Sequence, residues 1–250
     1  MRLLLYLIVI CTFIGCDSKK NSVVSNPSAP GFDNTNSDLE AIAIADKVMN
    51  AMGGRQNYDK TRYVKFTFKD ERDHIWDKHT GDIRIEYLDE DMIILMNVHS
   101  LIGTAITGDT IIDSNHPRYP SLMNQGKEHW INDTYWLVMP FKLKDSGVTL
   151  KYMGEDKTQK GEDADVLSLT FKNVGVTPQN KYLVFVDQKS HLVVEWVFYN
   201  NATDTQPLFR TPWEDYQEYG SIKLSGGRGG QGLSNIAVLE SIPEGTLSRI

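Results

Sequence analysis

Apolar and polar residues alternate with a period of two, interrupted every few positions by turn chemistry, and this limits the folds open to the chain. In residues 63–68, Val64, Phe66 and Phe68 alternate with Tyr63, Lys65 and Thr67; in residues 82–88, Ile83, Ile85 and Tyr87 alternate with Asp82, Arg84 and Glu86. A third run, residues 92–96, is apolar on both faces, and further strands are predicted near Ile75, over 102–106 and over 110–113. The breaks are turn sequences: Lys78-His79-Thr80-Gly81-Asp82, Asp89-Glu90-Asp91 and Thr107-Gly108-Asp109. Short strands with close turns specify an antiparallel meander. Parallel strands need long crossovers, and the spacing leaves no room for them.

Helical periodicity precedes and interrupts the meander. Ser37 and Glu40 fit a capping box. Leu39, Ile42, Ala45, Val48, Met49 and Met52 then draw one apolar stripe that ends at Gly53-Gly54. Residues 120–140 suit helix, with a break or second start expected at Asn132-Asp133-Thr134, where Asn132 or Asp133 would cap, and a stop at Met139 before Pro140. Strands resume at Val148, Leu150 and Tyr152 and at Leu167, Leu169 and Phe171. Residues 182–187 and 192–199 read as a hairpin, and residues 213–219 and 236–242 as the last strands. Residues 225–232 are too rich in glycine to be regular. An antiparallel sheet this long must curl or close. The predicted class is mainly β (α+β): a curled sheet or open β-barrel, with an N-terminal helix and a helical insert acting as lid or plug over an apolar groove.

Residues 1–15 have the layout of a secretory signal: Arg2, then an apolar run from Leu3 that is too short for the roughly 20 residues a bilayer requires. Phe13-Ile14-Gly15-Cys16 resembles the lipobox of bacterial lipoproteins, although Phe13 replaces the usual leucine. That resemblance implies cleavage before Cys16 and a diacylglyceryl group on its sulfur, and two acyl chains anchor stably where one does not. Residues 16–37 are rich in Ser, Asn, Lys and Pro and are assigned to the lipidated cysteine and a flexible tether. Residues 38–250 make one half-barrel domain of ordinary size.

The only cysteines are Cys11 and Cys16, so the mature domain is left without a disulfide, a thiol nucleophile or a thiolate zinc site. A formal net charge of −7 without a long basic run excludes nucleic acid as a partner. The acidic balance also favours anchoring by acyl chains over attraction to anionic headgroups. His74 and His79 lie near Asp70, Glu71, Asp73 and Asp77, but residues five apart on a strand face opposite sides, so a polar strand rim is expected there and no metal site is assigned. No GxSxG elbow is present, and the glycine-rich run lacks the Lys-Ser/Thr ending of a phosphate-binding loop, leaving Arg228 as a candidate anion contact. Neither a catalytic residue nor a cofactor is assigned.

The segments Val48-Met49-Asn50-Ala51-Met52-Gly53-Gly54, Trp130-Ile131-Asn132-Asp133-Thr134-Tyr135-Trp136-Leu137, Pro140-Phe141-Lys142-Leu143-Lys144-Asp145 and Tyr182-Leu183-Val184-Phe185-Val186-Asp187 resemble a family of Bacteroidota envelope proteins of unassigned function. The layout is similar to the lipoprotein-localisation-factor superfamily. That resemblance implies an open barrel with a helical lid over a cavity that carries or receives acyl chains or other hydrophobic ligands.

The groove candidates are Phe66, Phe68, Trp130, Tyr135, Trp136, Met139, Phe141, Trp196, Phe198 and Trp213, chosen for large apolar area. They line an open groove or fill a core. An open groove implies a hydrophobic small molecule or lipid as ligand. A filled core implies an accessory subunit with an envelope protein partner. A hydrolase with a non-standard site is the third reading. The membrane, reached through the lipid on Cys16, is the remaining partner.

Overall fold

A computed structural model describes residues 26–172 and 174–248. Residues 1–25, which hold the expected signal sequence and Cys16, lie outside the described residues. The chain runs α1 (Leu39–Ala51), α2 (Arg55–Lys60), β1 (Tyr63–Phe68), β2 (Arg72–Asp77), β3 (Asp82–Tyr87), β4 (Met92–Asn97), β5 (Gly103–Thr107), β6 (Thr110–Ile112) and α3 (Tyr119–Val138). It continues through β7 (Val148–Lys157), β8 (Asp163–Phe171), β9 (Lys181–Asp187), β10 (Val193–Tyr199), β11 (Phe209–Pro212), β12 (Glu214–Tyr219), β13 (Ile222–Gly227) and β14 (Leu233–Leu239).

Every strand pair is antiparallel, as the short turns require. One sheet has seven strands in the order β14-β1-β2-β3-β4-β5-β6, a second has five in the order β11-β10-β9-β8-β7, and β12 pairs with β13 alone. Each sheet keeps two edges, so neither closes into a barrel. β14 returns from the end of the chain to pair with β1, with a bulge opposite Lys65–Thr67.

The main core joins α1, β1, the end of α3 and the five-stranded sheet. A second cluster packs Leu122 and Met123 of α3 onto Ile83, Ile85, Ile94, Met96 and Ala105 of the large sheet. The helix comes close enough that a Cβ on Gly126 would sit 2.9 Å from Met96 Sδ and 3.0 Å from Ile94 Cγ2. A side chain at this crossing would force Met96 and Ile94 to shift.

Several sequence expectations need correction. α1 is capped at Asp38 without a side-chain bond, because Ser37 Oγ instead accepts the Leu150 amide at 3.0 Å. The buried stripe is rotated to include Ala41 and Ile44, and Leu39 is 85% exposed. Residues 26–37, assigned by composition to the tether, pack on the domain: Phe32 is buried, Asn26 bonds Asn50 and the Arg55 amide, and Lys144 bonds the Asn26 carbonyl and Asp46. The expected break at Asn132–Thr134 does not form, and α3 runs unbroken to Val138 before a 3-10 turn, Met139–Lys142, carries the chain through Pro140. Residues 225–227 are regular, since β13 continues to Gly227 and pairs with β12.

Arg228 is not an open anion contact. It is 5% exposed, lies 3.6 Å from the Trp213 ring centroid, and donates to Ser225 Oγ and to the carbonyls of Gly227 and Trp136. The Trp136 carbonyl belongs to the last turn of α3, where the helix dipole favours a cation. Burial still pushes this guanidinium down to about 9, partly offset by Tyr216 and Asp215.

Candidate functional site: a groove along helix α3

Two cavities of about 300 and 370 Å³ run along α3 where it faces the end of the five-stranded sheet. They share Ile131, Tyr135, Phe171, Val174 and Gly175, so they are neighbouring compartments separated by the same side chains. Ile131, Tyr135 and Val138 recur at the spacing of one helix face. The opposite wall comes from Phe171 at the end of β8, Tyr182 at the start of β9, and the loop between them.

Tyr135 is the hub. Its ring lies 6.3 Å from Phe171, 6.0 Å from Tyr182 and 6.2 Å from Trp196, measured between centroids. Trp136 meets Trp196 edge-on at 4.8 Å and stacks on Phe209 at 5.9 Å. Burial, with smaller contributions from Tyr182 and Asp145, raises the Tyr135 phenol well above its ordinary value. Burial likewise pushes Tyr182 up to about 12. The shared wall is therefore uncharged at neutral pH. Polar groups stand at the ends: Glu128, His129 and Asn132 at the smaller cavity, Lys142, Asp145 and Ser146 at the larger.

A buried ionic cluster locks the helix in place. Asp133 of α3 accepts from Arg72 Nε at 2.8 Å and from Asn132 Nδ2 at 2.8 Å, and its Oδ2 lies 2.8 Å from His74 Nε2. His74 is 1% exposed and stacks on Phe66 at 4.7 Å, so it is a core residue and not part of a polar rim. Burial raises the Asp133 carboxyl, but hydrogen bonds from His74 and Arg72 outweigh it and hold the group below the usual aspartate range. Neighbouring His129 lies 2.9 Å from the Tyr87 hydroxyl, and burial followed by the charge of Arg72 lowers its pKa. Among the described residues no group of three or more His, Cys, Asp or Glu is arranged to hold a metal ion.

Of the groove candidates from the sequence, Tyr135 lines both cavities, Trp136 the smaller and Trp130 the larger. Phe66, Phe68, Met139, Phe141, Trp196 and Trp213 are buried in the main core, and Phe198 packs between Tyr182 and Phe209; none of these lines either cavity. Large aromatics fill the interior because they bury the most apolar surface per residue. Sequence reasoning missed Trp76, Ile131, Val138, Phe171, Val174 and Tyr182 as lining residues. The 131/135/138 spacing was the available signal. Asp133, expected as a cap, instead lies inside the helix as part of the buried cluster.

No protein-family model matches the chain, and no curated protein matches it. Several solved structures align with it at low similarity. A DUF1329 family protein from Desulfovibrio piger aligns with a TM-score of 0.44 and 12% identity over 84% of this chain and 97% of the other. A structure described as an outer membrane lipoprotein-sorting protein domain, from Vibrio parahaemolyticus, gives 0.36 and 11% over 82% and 97%. MucB gives 0.30 and 12% over 83% and 70%.

Proposed function

We propose that this chain is a non-catalytic envelope protein, anchored by lipid on Cys16, that shelters an acyl chain or similar apolar ligand in the groove along α3. The pair of cavities with a shared uncharged wall carries this reading. Their volumes fall in the range of small-molecule sites, about 300–1,000 Å³. Each acyl methylene withdrawn from water there contributes about 0.8 kcal/mol. Roughly ten of them would offset the ordering cost of a flexible chain and leave useful affinity. Catalysis is disfavoured because the buried histidine–carboxylate pair is committed to Arg72 and lines neither cavity.

Native mass spectrometry of protein extracted gently from its own membrane tests the proposal. The expected spectrum shows the diacylglyceryl mass on Cys16 and a further noncovalent lipid-sized adduct. A bare polypeptide that also takes up no added lipid contradicts it.

The burial of Phe66, Phe141, Trp196 and Trp213 favours a second reading, an accessory subunit whose core is filled. Cross-linking in cells then yields one stoichiometric envelope protein, and Trp136→Ala lowers stability without changing any ligand content.

A further inference from the structure

The larger cavity ends in a cluster of charge around Tyr58. Lys142 and Asp145 line the cavity. Asp145 serves two cations at once: Lys142 Nζ pairs with Oδ2, and Arg55 Nη1 lies 3.4 Å from Oδ1. Arg55 also reaches Asp59 at 2.7 Å. The Arg55 guanidinium stands over the Tyr58 ring at 5.9 Å, and that ring stacks on Phe141 at 4.4 Å. Lys78 approaches the same ring, at 3.5 Å from its centroid, and bonds the Tyr58 carbonyl and Thr61 Oγ1. Among the described residues it makes no ion pair.

Arg55, Lys78 and Lys142 thus face Asp59 and Asp145. Three basic side chains outnumber two carboxylates at the end of an apolar cavity, in a chain whose formal net charge is −7. We propose that the groove takes an anionic amphiphile, its acyl tail in the cavities and its carboxylate or phosphate beside Lys142 and Arg55. This rests on the groove reading above. An incoming anion would give Lys142, which shares the Asp145 carboxylate with Arg55, an acceptor of its own, and charge-assisted bonds of this kind are about twice as strong as neutral ones. The Lys78 amine is pushed down to about 7 by burial first, with Arg55 and Lys142 acting in the same direction against Asp59. A bound anion opposes that shift. A neutral ligand does not.

The test is native mass spectrometry of the full chain released from neutral sugar-detergent micelles. The probes are laurate, dodecyl phosphate, dodecanol and inorganic phosphate. Laurate and dodecyl phosphate are expected to bind roughly tenfold more tightly than dodecanol, the equivalent of one charge-assisted contact. Lys142→Gln is expected to bring laurate down to the level of dodecanol. Titration of the Lys78 amine by NMR gives an independent readout and moves up in the presence of laurate. If dodecanol binds as well as the anions, the headgroup inference is overturned while the groove reading stands. If inorganic phosphate binds by itself, the site is for a bare anion and the amphiphile is wrong. If no chain-bearing probe binds, the groove reading falls and this inference with it.

Discussion

His74 Nε2 on β2 and Asp133 Oδ2 on α3 stand 2.8 Å apart with both side chains buried, and Arg72 Nε reaches the same oxygen at 2.8 Å. This contact joins the helix that forms one wall of the groove to the second strand of the large sheet. Removing one partner of a buried ionic cluster strands the others without water, at a cost of about 3–5 kcal/mol. Asp133→Ala is therefore expected to lower the urea midpoint by that equivalent. An apolar triple substitution, Asp133→Leu with Arg72→Met and His74→Phe, should recover much of the loss, because no member of the cluster is then left buried without its partner.

The same carboxylate sets an acid limit. Its folded pKa lies below the ordinary aspartate value, so its contribution is complete above about pH 3.9 and is lost as pH falls through the lower folded value. Wild type should lose stability steeply below pH 4, and Asp133→Asn should show a flatter profile from a lower plateau. Equal slopes in acid denaturation of the two proteins would rule out Asp133 as a source of acid sensitivity.

Lys78 predicts a slope of the same sign at the alkaline end. Its folded pKa near 7 lies below the unfolded value of about 10.4. Between these values the unfolded chain binds more protons, so stability rises with pH. Chemical denaturation at pH 7, 8.5 and 10 should show that rise in wild type and a smaller one in Lys78→Met.

Gly126 tests the closeness of helix and sheet. A side chain there would press on Met96 Sδ at 2.9 Å and Ile94 Cγ2 at 3.0 Å. Gly126→Val is expected to destabilise by about 1–3 kcal/mol through overpacking. Met96→Ala in the same chain should relieve part of that cost, and thermal unfolding of the three variants measures both effects.

The strands were legible because burial on one face repeats every second residue, as β3 shows with Ile83, Ile85 and Tyr87 all buried. α3 continues through the expected break for a reason that acts at long range. Locally, Asn132-Asp133-Thr134 has the chemistry of a helix start. What permits Asp133 inside the helix is its pairing with Arg72 and His74, 61 and 59 residues earlier, which no local pattern reveals. Aromatic size marks the interior, which Trp196 and Trp213 fill, whereas helix phase marks the groove, where modest residues such as Ile131 and Val174 border open space.

Tryptophan quenching by a brominated acyl chain tests the groove most directly, because Trp136 lines the smaller cavity and Trp76 and Trp130 line the larger. Saturable quenching by bromolaurate in wild type, abolished in Val174→Trp at unchanged fold by circular dichroism, is the predicted result. Absence of saturable quenching, or equal quenching after Val174→Trp, would contradict an acyl chain seated along α3.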